Sequence, residues 1–382
     1  MIFATPKLND ETKEVLERIA VMRRQLKFAT STPRRWSGLL RRNTLARAIR
    51  GSNSIEGYKA TVEDVIAAVE GEEPMQAGHE TWMAVVGYRN AMTYVLQLAR
   101  DTNFTYDAGC IRSLHYMMLS HDLDKNPGNW RPGAIFVRDE QQNKVVYEGP
   151  ERELVEALIK EFVESLNEKN DVPYIIKAAM AHLNLVMIHP FSDGNGRMAR
   201  CMQTLILARE GILEPVFCSI EEHLGRIQQE YYDILGLVGS GSWHPENDAR
   251  PWVRFICKAH YTQASILAWR MKLLTRLWEE IQIKTDKRGL PERVVQPLVD
   301  AAIGLKVRNA SYRHLAEISE NLASRDLKTL VDVGYLKPTG ENRGRLYEAS
   351  SKLLAMRDKL YEPFKMEDPF TSKQLRLPGA EI

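Results

Sequence analysis

His189-Pro190-Phe191-Ser192-Asp193-Gly194-Asn195-Gly196-Arg197-Met198-Ala199-Arg200 lies between two runs of helical periodicity, Tyr174 to Ile188 and about Arg197 to Arg209. Pro190 stops the first helix, and Asp193 to Arg197 form a glycine-containing turn that opens directly into the second. The unpaired backbone N–H groups and positive dipole end at such a start favour an anion, and phosphate is the natural occupant. Arg197 and Arg200 lie three apart and share a helix face, so two guanidinium forks reach a polyphosphate from one side. Asp193 supplies a hard oxygen suited to a Mg²⁺ that itself rides on phosphate oxygens. His189 is the one group here whose ordinary pKa lies near neutrality. A base, a metal ligand, an anion nest and two arginines together point to transfer of a phosphate-bearing group to a hydroxyl.

Outward from this stretch the chain reads as mainly α. Val15, Leu16, Ile19, Met22 and Leu26 form one helical stripe ended by Pro33, a second run spans about Arg41 to Ile49, and a third begins near Thr61. Arg152 to Glu168 is again helical. Between Asn126 and Pro150 the texture changes: Pro127, Gly128, Pro132 and Gly133 precede two strand-like runs, Ile135 to Arg138 and Lys144 to Tyr147, which predict a β-hairpin. Towards the C-terminus, Tyr312 to Ile318 and Ser324 to Val333 read as short helices. They precede Tyr335 to Lys337 and Arg345 to Glu348, which flank a Gly-rich tip at Gly340 to Gly344, a winged-helix pattern.

At 382 residues, with 44% hydrophobic and 27% charged residues, two or three cooperating globular units are expected. A net charge of +2 excludes a global field that would dictate a nucleic-acid or membrane partner, so any polyanion binding must be local. Four scattered cysteines form neither a zinc knuckle nor a disulfide framework. The charged N-terminus and the lack of a long apolar run predict no membrane span and a cytoplasmic location.

The segment His189 to Arg200 resembles, at every defining position, the Fic-family signature HxFx(D/E)GNGRxxR. The resemblance implies a protein adenylyltransferase that uses ATP and Mg²⁺. His189 would be the base, Asp193 the metal ligand, Gly194, Asn195 and Gly196 the cradle for the α- and β-phosphates, and Arg197 and Arg200 the partners of the β- and γ-phosphates. Phe191 would anchor the loop in the core. The hairpin from Ala134 to Tyr147 resembles the family's flap, whose exposed edge would pair with a protein segment bearing a Ser, Thr or Tyr hydroxyl. Ser52-Asn53-Ser54-Ile55-Glu56-Gly57 is similar to the inhibitory motif (S/T)xxxE(G/N). That similarity implies that Glu56, with Ser52 in the other defining place, pairs with Arg200 and fills the space of the γ-phosphate. Tyr231 and Tyr232 resemble the tyrosine pair near the nucleotide, with Leu235 lining an adenine slot.

The expected layout is an N-terminal helical region with the inhibitory motif (1–100), a Fic core (101–260), a helical linker (261–290), a winged helix (291–355) and a tail (356–382). Self-modification and a homodimer fit the resemblance. Removal of AMP, with Glu56 orienting a water, and transfer from another nucleotide remain open at this point. So does a DNA-binding role for the winged helix through Arg325, Lys328, Arg343 and Arg345, although Asp326, Asp332 and Glu341 dilute its charge. His182 lies seven residues before His189 on the same face and reads as a core or hydrogen-bonding histidine rather than a metal ligand.

Overall fold

The computed structural model describes residues 1–31, 35–139, 143–340 and 345–371. Pro33, the hairpin tip at 140–142, the wing tip from Glu341 to Gly344 with Arg343, and the tail beyond Thr371 lie outside the described residues. Helices α1 (Asp10–Ser31), α2 (Ser37–Ile55), α3 (Val62–Glu70), α4 (His79–Leu98) and α5 (Ala108–Leu119) lead to an antiparallel hairpin, β1 (Phe136–Asp139) with β2 (Lys144–Glu148). Helices α6 (Val155–Asn167), α7 (Tyr174–Ile188), α8 (Asn195–Arg209), α9 (Glu221–Leu224), α10 (Gln228–Gly239) and α11 (Arg250–Asp286) complete the larger body. Then come α12 (Val295–Ala302), β3 (Val307–Arg308), α13 (Asn309–Ala316), α14 (Glu320–Asp332), β4 (Leu336–Thr339), β5 (Leu346–Ala349) and α15 (Ser351–Leu360). The chain is therefore mainly helical, as its periodicity predicts.

The centre of the molecule is the pair α7 and α8. Twelve of the fifteen residues of α7 are buried, and thirteen of fifteen in α8, so both helices are covered all round rather than along one stripe. Trp252 of α11 seals α7 by donating its indole N–H to the Ala179 carbonyl at 2.7 Å. The N-terminal residues join the same core. Phe3 is buried against Trp243, and its backbone N–H donates to Asn184 Oδ1 of α7 at 2.7 Å.

Helix α2 is longer than the run expected from Arg41 to Ile49, continuing through Gly51, Ser52, Asn53 and Ser54 to Ile55. Those four residues are poor helix formers, and tertiary contacts override propensity. A side chain at Gly51 would collide with the Glu221 carbonyl, and one at Gly225 would meet the Gly51 Cα at 2.9 Å, so α2 and α9 cross almost backbone to backbone. Glycine is required at that crossing. Thr61 caps α3 with a reciprocal capping box to Asp64, close to where its start is expected.

Helix α11 spans 37 residues, about 55 Å at 1.5 Å per residue, and the boundary expected at residue 260 falls inside it. Beyond α11, β3, β5 and β4 form an antiparallel sheet in that order, packed with α12, α13 and α14. Here α14 starts at Glu320 rather than Ser324, because Ser319 accepts the Leu322 N–H as its cap. Likewise α13 runs from Asn309 to Ala316 rather than from Tyr312 to Ile318. Asp326 does not dilute a surface charge. It is buried and accepts from Arg293 at 2.7 and 3.0 Å and from the Tyr312 hydroxyl at 2.8 Å. This unit is tied to α2 and α3 by Arg42, which pairs with Asp300 at 2.7 Å and Glu70 at 2.9 Å, all three side chains being at most 10% exposed. Among the described residues no helix is long and apolar enough to cross a membrane.

Candidate functional site

His189 ends α7 in the left-handed conformation, φ 50°, which swings its side chain out of the helix. Its Nδ1–H donates to the Val186 carbonyl at 3.1 Å, so Nε2 carries the lone pair. Burial holds its pKa below the ordinary histidine value. The Val186 hydrogen bond and the Glu56 charge oppose that shift without cancelling it. The imidazole is neutral at pH 7 and able to accept a proton.

The loop that follows is fixed by three side chains. Asn195 accepts the Phe191 N–H at Oδ1 and donates to the Phe191 carbonyl through Nδ2, both at 2.9 Å, so its side chain shapes the loop while its backbone opens α8. Phe191 is fully buried and stacks on His115 at 3.6 Å with the rings 3° from parallel, the core anchor expected of it. His115 accepts the Gly128 N–H at Nδ1 and therefore donates from Nε2 to the Asp193 carbonyl, each at 2.9 Å. Burial lowers its pKa to about 4, which keeps it in that neutral tautomer. Gly194, at φ 75°, turns the chain into α8, and a side chain there would meet Leu119 at 3.0 Å.

Arg197 carries the clearest chemical signal. It is fully buried, and Nε, Nη1 and Nη2 all lack a hydrogen bond, with only Asp193 Oδ2 near, at 3.6 Å. Buried donors of a cation are normally satisfied, and leaving them unmade is expensive. Three orphaned donors at a helix N-terminus therefore mark an anion site. The Tyr58 ring covers this guanidinium at 5.3 Å. Arg200 is mostly satisfied, with Nη1 alone buried without a partner. Its Nη2 donates to Glu56 Oε1 at 2.7 Å and to the Ser52 carbonyl at 3.1 Å, and its Nε donates to Ser52 Oγ at 2.8 Å. Burial works against its charge, yet Glu56 holds its pKa above the ordinary arginine value. A side chain on Gly196 would stand 2.5 Å from Glu56 Oε1, so the carboxylate lies directly over the first turn of α8.

Asp193 Oδ2 is held by Lys125 Nζ at 2.9 Å, and Lys125 also donates to the Tyr58 hydroxyl at 3.1 Å. Although burial opposes it, the Lys125 hydrogen bond together with Arg197 keeps the Asp193 carboxyl below its usual range, hence ionised. Among the described residues no group of three or more His, Cys, Asp or Glu gathers as a closed metal cage. A Mg²⁺ here would take Asp193, phosphate oxygens and water, the open pattern usual for that ion beside a nucleotide.

The three residues expected at the base pocket fall differently. Tyr231 is buried, and its hydroxyl donates to His182 Nε2 at 2.9 Å while His182 Nδ1 donates to Gln203 at 2.7 Å. Burial presses the pKa of His182 to about 3, so it is a neutral core histidine. Tyr232 is 43% exposed and donates to the Ile55 carbonyl at 2.9 Å, which Gln228 Nε2 also reaches at 2.8 Å. Leu235 is partly buried against the core.

Sequence reasoning passed over Arg131. Its backbone N–H donates to the Pro190 carbonyl at 2.9 Å, its Nε to the His189 carbonyl at 3.0 Å, its Nη1 to Gly133 at 2.5 Å and its Nη2 to the Pro150 carbonyl. One buried guanidinium thus joins the end of α7 to both roots of the hairpin. Only its place in a Pro- and Gly-rich stretch, where backbone carbonyls lack regular partners, hinted at such a strut.

The Fic/DOC family model matches residues 106–207, which hold α7, the loop and nearly all of α8. The chain is 29% identical over 215 residues to a protein adenylyltransferase Fic of Nematostella vectensis, covering 54% of this chain and 45% of that one. It is 38% identical over 116 residues to protein adenylyltransferase fic-1 of Caenorhabditis elegans, covering 30% and 20%. A Fic family protein from Desulfovibrio desulfuricans superposes with a TM-score of 0.57 at 21% identity, covering 91% of this chain and 98% of that one, which shows a shared fold. Residues 106–207 are thus identified as a Fic/DOC domain. The chain spans less than half the length of these sequence relatives.

Proposed function

We propose that the protein transfers AMP from ATP to a hydroxyl side chain of a protein, and that Glu56 restrains the reaction. The observation that carries this reading is Arg197, a buried cation with three unmade hydrogen bonds at the start of α8. A triphosphate satisfies it. The names of the adenylyltransferase relatives support AMP as the group moved.

In this reading the phosphates lie on the N-terminal turn of α8, contacted by the backbone from Gly194 to Gly196 and by Arg197. A Mg²⁺ held by Asp193 would neutralise phosphate charge and fix the leaving pyrophosphate. His189 Nε2 takes the proton of the target hydroxyl, the hydroxyl oxygen bonds to the α-phosphorus, and the bond from that phosphorus to the bridging oxygen breaks to release pyrophosphate. The hairpin, with Val145 and Val146 exposed on β2, would hold the target as an added strand beside His189. Arg131 keeps that edge and the base in one rigid frame.

Glu56 competes for Arg200, the guanidinium that would otherwise steady the γ-phosphate, and places negative charge over the turn where phosphate must lie. Tyr58, two residues later, covers Arg197 and supports Lys125 on Asp193. One short segment thus contacts both arginines and, through Lys125, bears on the Asp193 carboxylate. We read the C-terminal unit from α12 to β5 as a winged helix that docks on protein, since its buried ties run to α2 and α3.

The test is incorporation of α-³²P-labelled ATP into the protein and a lysate. Glu56→Gly should label strongly, wild type weakly, and Glu56→Gly/His189→Ala not at all. A folded Glu56→Gly that labels no better than wild type would remove the restraining role. Absence of label in every sample would remove AMP transfer.

A further inference from the structure

At the end of α2, Ser52 and the capping residue Glu56 face Arg200, while Arg47, Arg50, Gly51 and Ser54 fall on the opposite face. That back face borders a cavity of about 330 Å³ closed by α9 and the start of α10. Its charged and amide lining is Arg47, Arg50, Lys59, Glu222, Arg226 and Gln228. Four cations thus face one carboxylate, which is shared between Arg226 of the lining and Arg270 outside it. Glu222 accepts from Arg226 at 2.7 Å and from Arg270 at 2.8 and 3.1 Å, leaving Arg47 at 4.0 Å. The Arg47 Nε is buried without a hydrogen-bond partner. Among the described residues no carboxylate lies within ion-pair distance of Arg50 or Lys59, and Arg50 Nε donates only to the Ala60 carbonyl, at 3.1 Å. Burial first, and then the neighbouring Arg270, push the Arg47 pKa down to about 10, and the Glu222 charge at 4.0 Å only partly offsets them.

We propose that this cavity is a second anion site, separate from the nest at α8, and that it binds a small phosphorylated ligand through Arg47, Arg50, Lys59 and Arg226. Guanidinium forks suit phosphoryl oxygens, and the volume lies at the small end of ligand pockets, roughly 300–1,000 Å³. Gln228 adds a neutral donor at the rim. Two structural facts give the site a consequence. Arg47 and Arg50 precede Glu56 in the chain, and Lys59 follows it. Gln228, on the far wall, already donates to the Ile55 carbonyl beside Glu56. An anion drawn in by both walls therefore bridges α2 to α9 and α10, and holds the end of α2 in place. That consequence rests on the restraining role proposed for Glu56; the binding itself does not.

Isothermal titration of inorganic pyrophosphate into the full chain separates the two sites. The Arg197→Ala variant, which loses the orphaned guanidinium at α8, should keep one pyrophosphate site. Adding Arg50→Glu and Lys59→Glu, both solvent-exposed and so tolerable to the fold, should weaken that site at least tenfold. Arg47→Gln should weaken it comparably. Pyrophosphate binding that disappears with Arg197→Ala alone, or that ignores the two charge reversals, overturns the proposal. So does an oligonucleotide that binds these same residues more tightly than pyrophosphate does. Hydrogen exchange over residues 51–58 reads the bridge: it should slow on pyrophosphate binding in the Arg197→Ala variant. Unchanged exchange with binding intact would overturn the bridging while the site stands. Both readouts are independent of AMP labelling, so loss of the transferase reading would leave them unaffected.

Discussion

Arg197 and Arg200 leave the same face of the same helix, yet one has all three donor nitrogens unpartnered and the other only Nη1. Around Arg200 the donors Nε and Nη2 are taken by Ser52 and Glu56. Around Arg197 no donor is taken, and only an aromatic ring and a distant carboxylate attend it. One half of the site is already closed by the protein's own carboxylate, and the other half is incomplete until an anion arrives. The difference teaches that occupancy is decided by competition at Arg200, whereas Arg197 supplies a standing attraction.

The sharpest break in that comparison comes from the chemistry both halves serve. In a Glu56→Gly background, His189→Ala should cut AMP incorporation by roughly 10²- to 10⁴-fold while leaving ATP affinity intact, as measured by labelling and calorimetry. A loss confined to affinity would give His189 a binding role only. Next in size is the contrast between the arginines. With Glu56 present, Arg197→Ala should weaken ATP binding by about 10- to 150-fold, the value of charge-assisted hydrogen bonds of about 1.5–3 kcal/mol. Arg200→Ala should cost far less there, and should become comparably costly only after Glu56→Gly. Equal losses in both backgrounds would mean that Glu56 does not compete for Arg200.

A smaller effect concerns the metal position. Lys125→Met removes the cation that now holds Asp193, so Mn²⁺ affinity in the presence of ATP should rise by about threefold, read by electron paramagnetic resonance. A fall would recast Lys125 as a phosphate ligand. The smallest expected effect is with pH. Because burial keeps the His189 pKa below 6.5, its neutral, proton-accepting form already dominates at pH 7, and the rate should rise by no more than about 1.3-fold between pH 7 and 8. Inhibition should set in as pH falls through the folded pKa and protonates Nε2. Glu56→Gly removes a charge that supports the protonated form, so that fall should move to still lower pH.

What could be read from the chain alone was what is local. Helix α7 and the turn after it announce themselves by an apolar run, a proline and two glycines, and Ser52 with Glu56 share one helix face by spacing. The supports could not be read, because each joins segments far apart in sequence. His115 reaches Asp193 across 78 positions, Lys125 reaches Tyr58 across 67, and Arg131 ties the end of α7 to the hairpin across 58. The extension of α2 was hidden for a related reason: Gly-Ser-Asn-Ser is locally a turn sequence, and only the crossing with α9 and the grip of Arg200 make it helical. Tyr231 and Tyr232 illustrate the remaining gap. Adjacent residues on a helix differ by about 100° in direction, and composition does not say which ring meets the core.

Helix α2 carries one more implication. Its early turn is clasped by Asp300 and Glu70 through Arg42, and its last residue leads into Glu56, about 21 Å further along at 1.5 Å per residue. Between the two clasps lies the near-contact of Gly51 with Gly225, a third fixed point on the same rod. One buried rod thus joins the C-terminal unit to the carboxylate over the first turn of α8.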